Sequence, residues 1–286
     1  MCDTSSVDVI TIESTPKLKR PTLVAAFRGW NDAGGAASLA AGYLRAVTDA
    51  ERFAVIDPDP FIDYQQTRPS VTLEDGHVRS VEWPETEFLA AEPHDIVIVV
   101  GPEPNMRWRA YSDAICQLAR KMRVELVVTL GALLADTPHT RPVPVSSTGS
   151  DDELIARLGL TRSNYEGPTG IVGVLHDACA RAQLRSASLW AATPHYISAT
   201  PNPRAAVALL DRLAELTGTP PPSGDLVRAA SEYAVRVAAA VADDPELAAY
   251  VEQLESAADA EDPPTGEDLA RDFERYLREQ GGDEPG

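Results

Sequence analysis

Within six positions the chain places a carboxylate, an imidazole and a guanidinium: Asp136, His139 and Arg141. Such a set could move a proton on an anionic substrate, with Asp136 as base, His139 as acid and Arg141 holding the anion. Glu166 is an alternative base and Arg28 an alternative anion ligand. Each residue also has a plainer reading. His139 lies in a loop punctuated by Pro138, Pro142 and Pro144, where it can simply be exposed, and Arg141 can pair with Asp136 at the surface. The histidines are not at metal-ligand spacing and no G-x-S-x-G elbow is present, so neither a metal site nor a serine nucleophile is expected. No G-x-G-x-x-G or G-x-x-x-x-G-K-[ST] follows a strand, and no cofactor is expected.

The elements that must position these groups start at Leu23 to Phe27, an apolar run that reads as a buried strand. It ends in Arg28-Gly29-Trp30-Asn31-Asp32, and helix-forming residues run from Ala33 to Val47. That is the first strand-to-helix turn of an α/β domain, with Asp32 or Asn31 as helix cap. Gly34 and Gly35 leave the first helical turn bare, so another group can approach closely. Arg28, Gly29, Trp30, Asn31, Asp32, Gly34 and Arg141 are therefore expected to line a cleft at the carboxyl edge of the sheet, where open α/β sheets bind ligands.

Further strands read at 53–56, 95–101, 126–131 and 187–192, the 95–101 run continuously apolar as in a sheet covered on both faces. Asp75-Gly76, between the alternating runs 70–73 and 78–83, reads as a hairpin turn, making either a sheet extension or a projecting arm. Val7 to Ile12 reads as an edge strand. One helix carries the stripe Trp108, Tyr111, Ile115, Leu118 and Met122. Ser150-Asp151-Asp152-Glu153 reads as a capping box, and a helix containing Leu175 and Ala178 follows Gly170, with His176 and Asp177 structural. Asn202-Pro203 opens a helix with Ala206, Leu209, Leu210, Leu213 and Leu216 inward.

Three of these stretches carry a family resemblance. Phe27-Arg28-Gly29-Trp30-Asn31-Asp32-Ala33-Gly34, the run from Gly131 to Val145, and Tyr165-Glu166-Gly167-Pro168-Thr169-Gly170-Ile171-Val172-Gly173 resemble signatures of the PAC2 family, named for a proteasome assembly chaperone. The likeness spans about 22–217 and is closest to the long actinobacterial branch. It implies an α/β fold of three layers, with a mostly parallel sheet like that of the phosphorylase/hydrolase-like proteins. It also implies a protein-interaction role, with a protein partner, in the first instance proteasome-related. The alternative is a phosphorylase- or hydrolase-like enzyme acting on a small anionic or nucleoside-like ligand. Phosphorylase-like folds often assemble as trimers, so a homo-oligomer, a trimer, is expected, with Trp83, Trp108 and the 61–83 hairpin as apolar contact material. Some eukaryotic members dock through a hydrophobic-tyrosine-any-residue tail; this chain ends Glu284-Pro285-Gly286, and that docking route is not expected.

Charge narrows the partners. The formal net charge of the 286 residues is −19, and 15 acids against 3 arginines from Asp243 onward put −12 of it in the last segment. A chain this acidic repels nucleic acid and anionic membranes, and neither is expected as partner. No apolar run reaches ~18 residues and no signal-peptide pattern opens the chain, so a cytoplasmic protein is expected. Cys2, Cys116 and Cys179 are far apart, and Cys116 and Cys179 fall in amphipathic helical patterns as buried residues. Pro220-Pro221-Pro222 reads as a linker. The expected organisation is an α/β domain over 1–218, an acidic helical extension over 225–279 with helices at 225–242, from 245 to about 254 and from 265, and a disordered tail at 280–286.

Overall fold

The chain was analysed as a computed structural model, which describes residues 9–74, 77–161, 166–197 and 199–260. The expected start of the first strand, the Asp75-Gly76 turn, Tyr165, the helix from 265 and the tail at 280–286 lie outside the described residues.

In chain order the strands and helices are β1 (Ile10–Ile12), β2 (Thr22–Arg28), α1 (Ala36–Val47), β3 (Glu51–Ile56), β4 (Ser70–Glu74), β5 (His77–Glu82), β6 (Thr86–Ala91), β7 (Ile96–Pro102), α2 (Trp108–Lys121), β8 (Leu126–Ala135), β9 (Val145–Gly149), α3 (Asp152–Leu158), α4 (Ile171–Arg181), β10 (Ser186–Pro194), α5 (Pro203–Thr217), α6 (Gly224–Ala242) and α7 (Pro245–Ala260). One eight-stranded sheet runs β1-β3-β6-β7-β2-β8-β10-β9. Its centre, β7-β2-β8-β10, is parallel, with Leu23 paired to Val97 on one side and Val127 on the other. Both margins are antiparallel, β6, β3 and β1 on one side and β9 on the other.

The α/β fold with helices on both faces is the one expected. On one face Ala37, Ala40 and Leu44 of α1 and Leu209, Leu210 and Leu213 of α5 bury against Val24, Val128 and Leu189. On the other, Tyr111, Ile115 and Leu118 of α2 and Ile171, Leu175 and Ala178 of α4 bury against Leu23, Val97 and Val127. Burying a leucine or isoleucine completely contributes about 1.5–3 kcal/mol, so these two apolar layers dominate the stability of the domain. His176 spans the second layer, its two ring nitrogens 2.8 Å from Thr129 Oγ1 and 2.9 Å from Ser186 Oγ. Burial pushes its pKa down to about 4.

Several details differ from the sequence reading. The strand at 51–56 is antiparallel to its neighbours, because β6 and β7 return to it as a meander. The hairpin β4–β5 is a separate two-stranded sheet, the projecting arm of the two expected alternatives. Asp151, not Ser150, caps α3, accepting from the Leu154 N–H at 2.8 Å; the Ser150 hydroxyl accepts from the Ser186 N–H of β10 instead. The capping-box spacing was one residue out because Ser150 is held by the sheet. Asn202 caps α5 as expected, accepting from the Ala205 N–H at 3.1 Å with proline in the first turn. Among the described residues no helix is long and apolar enough to cross a membrane.

Candidate functional site

The turn after β2 is built around one carboxylate. Glu103, just beyond β7, accepts from the Trp30 N–H at 3.3 Å and from the Ile171 N–H at 2.8 Å. It therefore ties the end of β2 to the first turn of α4, where a negative charge also meets the helix dipole favourably. Gly29 is required at this crossing: its φ is +146°, and a Cβ there would lie 2.9 Å from the Cβ of Glu103. The chain then pairs back onto β8 through an Asp32–Ala132 bridge, the Ala132 N–H donating to the Asn31 carbonyl at 2.9 Å.

Asp32 does cap the following helix, from further back than the usual position. Gly34 and Gly35 are left-handed, φ +62° and +61°, and form a tight turn before α1. The Asp32 carboxylate reaches over that turn to accept from the Ala37 N–H at 2.7 Å, the Ser38 N–H at 3.2 Å and the Ser38 hydroxyl. The close approach expected at Gly34 is present: the Asn202 N–H donates to the Gly34 carbonyl at 2.7 Å, and a Cβ on Gly34 would stand 3.0 Å from that of Asn202. Asn31 is 1% exposed and faces Gly170, where a Cβ would come within 2.2 Å of its Oδ1; among the described residues its carboxamide has no hydrogen bond. Trp30, by contrast, is 41% exposed, and Arg28 is exposed beside it.

Asp136, His139 and Arg141 sit in the next loop of the same edge, but α7 engages Asp136 and Arg141, while Tyr196 and, from α5, Arg204 engage His139. The Asp136 carboxylate lies 3.0 Å from His195 Nδ1 and accepts from the Tyr250 hydroxyl at 3.3 Å. His139 is 8% exposed, so the proline-rich loop does not leave it in solvent, correcting the exposed reading. Its N–H donates to the Tyr196 oxygen at 2.8 Å, and its Nδ1 stands 3.0 Å from that oxygen. Arg204 donates to the carbonyls of His139 and, at 2.9 Å, Arg141. Burial, helped by the Arg204 charge, lowers the His139 pKa and favours the neutral ring.

Arg141 does not pair with Asp136. Its guanidinium makes two bonds to Asp259 of α7, 2.8 and 2.7 Å, and lies 3.5 Å from Glu255, which also accepts from the Thr140 hydroxyl. The cause is geometry: α7 offers a carboxylate at bidentate distance, while that of Asp136 turns toward His195 and Tyr250. The Asp259 pKa is lowered chiefly by that bond. Around these polar links Tyr196, Tyr250 and His195 pack edge to face, ring centroids 5.7–6.1 Å apart, and Tyr233, Val237, Val241 and Val251 of α6 and α7 close over Tyr196 and Ile197. A narrow cleft is left between the loop and α6, lined by Thr137, His139, Arg141, Asn202, Arg204 and Tyr233.

The residues singled out from sequence thus fall into two nodes of one edge: Gly29 to Gly34 against Glu103, Gly170 and Asn202, and Asp136 to Arg141 under α6 and α7. Asp136 bonds to His195 and Tyr250, whereas His139 bonds to Tyr196. Glu166 is exposed in the loop before α4 and makes no hydrogen bond or ion pair among the described residues. Among the described residues no group of three or more His, Cys, Asp or Glu is placed to hold a metal ion. Tyr196, Arg204 and Tyr250 went unnoticed because nothing in their local sequence marks them; their role comes from partners tens of residues away.

Comparison with known proteins places the chain among relatives. A family model described as "PAC2 family" matches residues 26–241. A PAC2 family protein from Streptomyces avermitilis is 45% identical over 81% of this chain and 99% of its own, with a TM-score of 0.74. A proteasome-assembly chaperone homologue from Mycobacterium tuberculosis is 43% identical over 80% of this chain and 99% of its own, also at 0.74. A second M. tuberculosis protein, of unknown function, is 28% identical over 98% of this chain and 99% of its own, at 0.82. Among curated proteins none matches.

Proposed function

Since the chain belongs to the PAC2 family, we propose that it is an assembly-chaperone-like module that works by binding protein and not by catalysis. The observation that carries this reading is the bidentate pair between Arg141 and Asp259, 2.8 and 2.7 Å. It seats the acidic α7 on the very loop where an enzyme of this architecture would receive its ligand. With Asp136 held by Tyr250 of α7 and His139 by Tyr196 of the β10–α5 turn, the groups available for proton transfer are engaged in the chain's own packing.

The partner is a protein, and the resemblance to a proteasome-assembly chaperone homologue supports a proteasome-related one. The chain works as a homo-oligomer, a trimer, in the cytoplasm, and its net charge of −19 argues against nucleic acid and anionic membranes. The oligomer contact is the β4–β5 arm. Val71, Leu73, Val81 and Trp83 are exposed, Leu73 by 60% and Trp83 by 50%, and an isolated two-stranded arm is marginal until something covers it. The Gly29–Gly34 turn, with Trp30 at its tip, lines a cleft beside that surface-binding body.

Affinity capture of the full chain from native lysate, with mass spectrometry of what is retained, tests the reading. A stoichiometric protein partner is expected. Retention of a small molecule with no protein partner would favour a phosphorylase- or hydrolase-like enzyme and overturn the proposal.

A further inference from the structure

Two thiols meet inside the second apolar layer. Cys116 of α2 and Cys179 of α4 are 3% and 0% exposed, and their sulfurs stand 3.8 Å apart. Beside them an ion pair bridges the same two helices: Arg181 reaches Asp113 at 3.0 Å and Asp177 at 2.9 Å. Asp113 is one turn before Cys116, and Asp177 and Arg181 flank Cys179, so the helices are held side by side at the level of the sulfurs. We propose that Cys116 and Cys179 are a built modification site, a dithiol that a small hydroperoxide converts to an intrachain disulfide tying α2 to α4.

The geometry suits that bond. A disulfide is about 2.05 Å long, so from 3.8 Å the sulfurs must approach by roughly 1.8 Å. The two thiols are not equivalent. Cys179 acts as hydrogen-bond partner to Cys116, and that bond holds the Cys116 thiol below its ordinary pKa while the same contact, with burial, raises Cys179. Cys116, 3% exposed against 0% for Cys179, is the sulfur a hydroperoxide reaches first and is the attacking thiol. Its thiolate attacks the peroxide, the O–O bond breaks, and a sulfenic acid forms as one water or alcohol leaves. Cys179 then attacks the sulfenic sulfur; the S–S bond forms, the S–O bond breaks and a second water leaves with the Cys179 proton. Two thiols are oxidised and one hydroperoxide reduced. The bridge closes a segment that contains both the 131–145 loop and the 166–170 loop, and it locks the helix whose first N–H is held by Glu103.

The test uses the full chain with Cys2→Ser, which leaves Cys116 and Cys179 as its two thiols. Native protein treated with hydrogen peroxide, then alkylated and digested without reduction, should yield one linked peptide pair containing positions 116 and 179. Both thiols should be lost together, the thermal midpoint should rise, and dithiothreitol should reverse both changes. Thiols that stay alkylatable after peroxide, sulfinic or sulfonic acid without a link, or linkage only between chains would each overturn the proposal. With Cys179→Ser added, Cys116 should accumulate a dimedone-reactive sulfenic acid. An adduct found instead at Cys179 in a Cys116→Ser chain would overturn the assignment of the attacking thiol.

Discussion

Arg141 and Asp259 lie 118 positions apart in sequence and meet through two parallel hydrogen bonds of 2.8 and 2.7 Å. Both side chains reach solvent, so the pair itself adds little to stability. Its consequence is local: it fixes where α7 sits. Arg141→Ala is expected to speed backbone hydrogen exchange in α7 several-fold while β2, β7 and β8 stay protected. Unchanged exchange across 245–260 would show that the aromatic packing alone seats the helix.

Gly34 combines a left-handed φ of +62° with a near neighbour, Asn202, 3.0 Å from where its Cβ would be. Gly34→Val meets both costs, and a β-branched residue in that conformation is strained. A loss of about 2–4 kcal/mol is expected in chemical denaturation, with Gly159→Ala, also left-handed but open on all sides, losing only the backbone part. Equal losses at the two positions would leave the contact with Asn202 without weight.

His176 gives the fold a pH dependence. Its native pKa is about 4 against an ordinary 6.5, so the unfolded chain takes up the proton first. Stability is therefore full above about pH 6.5 and falls as pH drops toward 4. The residue keeps some contact with solvent, which reduces the effect to about 2 kcal/mol. Denaturation at pH 7 and pH 5 should show the drop in the natural chain and a smaller one in His176→Gln. The same drop in both would assign it to carboxylates elsewhere.

Glu103 satisfies two backbone donors from different elements, the Trp30 and Ile171 N–H groups. Glu103→Ala leaves the part-buried Ile171 N–H without this acceptor and should cost about 1–3 kcal/mol, the penalty of one unmet buried donor. Glu103→Gln keeps an acceptor and should lose less. If the two variants are equally stable, the carboxylate is not what joins β2 to α4.

The organisation expected around Pro220 to Pro222, a body to 218 and a helical extension from 225, has its own check. Limited proteolysis should cut at 219–224 or 258–266 before the body. First cuts within 95–130 would contradict that division.

How much of this was legible follows from which forces are local. The Leu23–Phe27 strand and the α5 stripe from Ala206 to Leu216 announce themselves by periodicity, and all of them are buried. So does the close approach at Gly34, because the residue type states the backbone need. β6 was not seen: Glu87-Phe88-Leu89-Ala90-Ala91 has the composition of a helix, and its pairing with β3 and β7 overrides that preference. β9 was missed because Val145-Ser146-Ser147-Thr148-Gly149 is short and polar. At the site, the residue types of Asp136, His139 and Arg141 draw attention, but the groups they bind do not. Their partners Tyr250, Tyr196 and Asp259 are brought in by tertiary packing, which no local spacing encodes.

The central claim is that this carboxyl edge is covered by the chain's own helices and that the protein acts as an oligomer through its outer surface. Native mass spectrometry of the full chain purified under gentle conditions reads both parts at once. Three chains per particle are expected, with any additional mass belonging to polypeptide. A single chain carrying one small molecule would contradict the account.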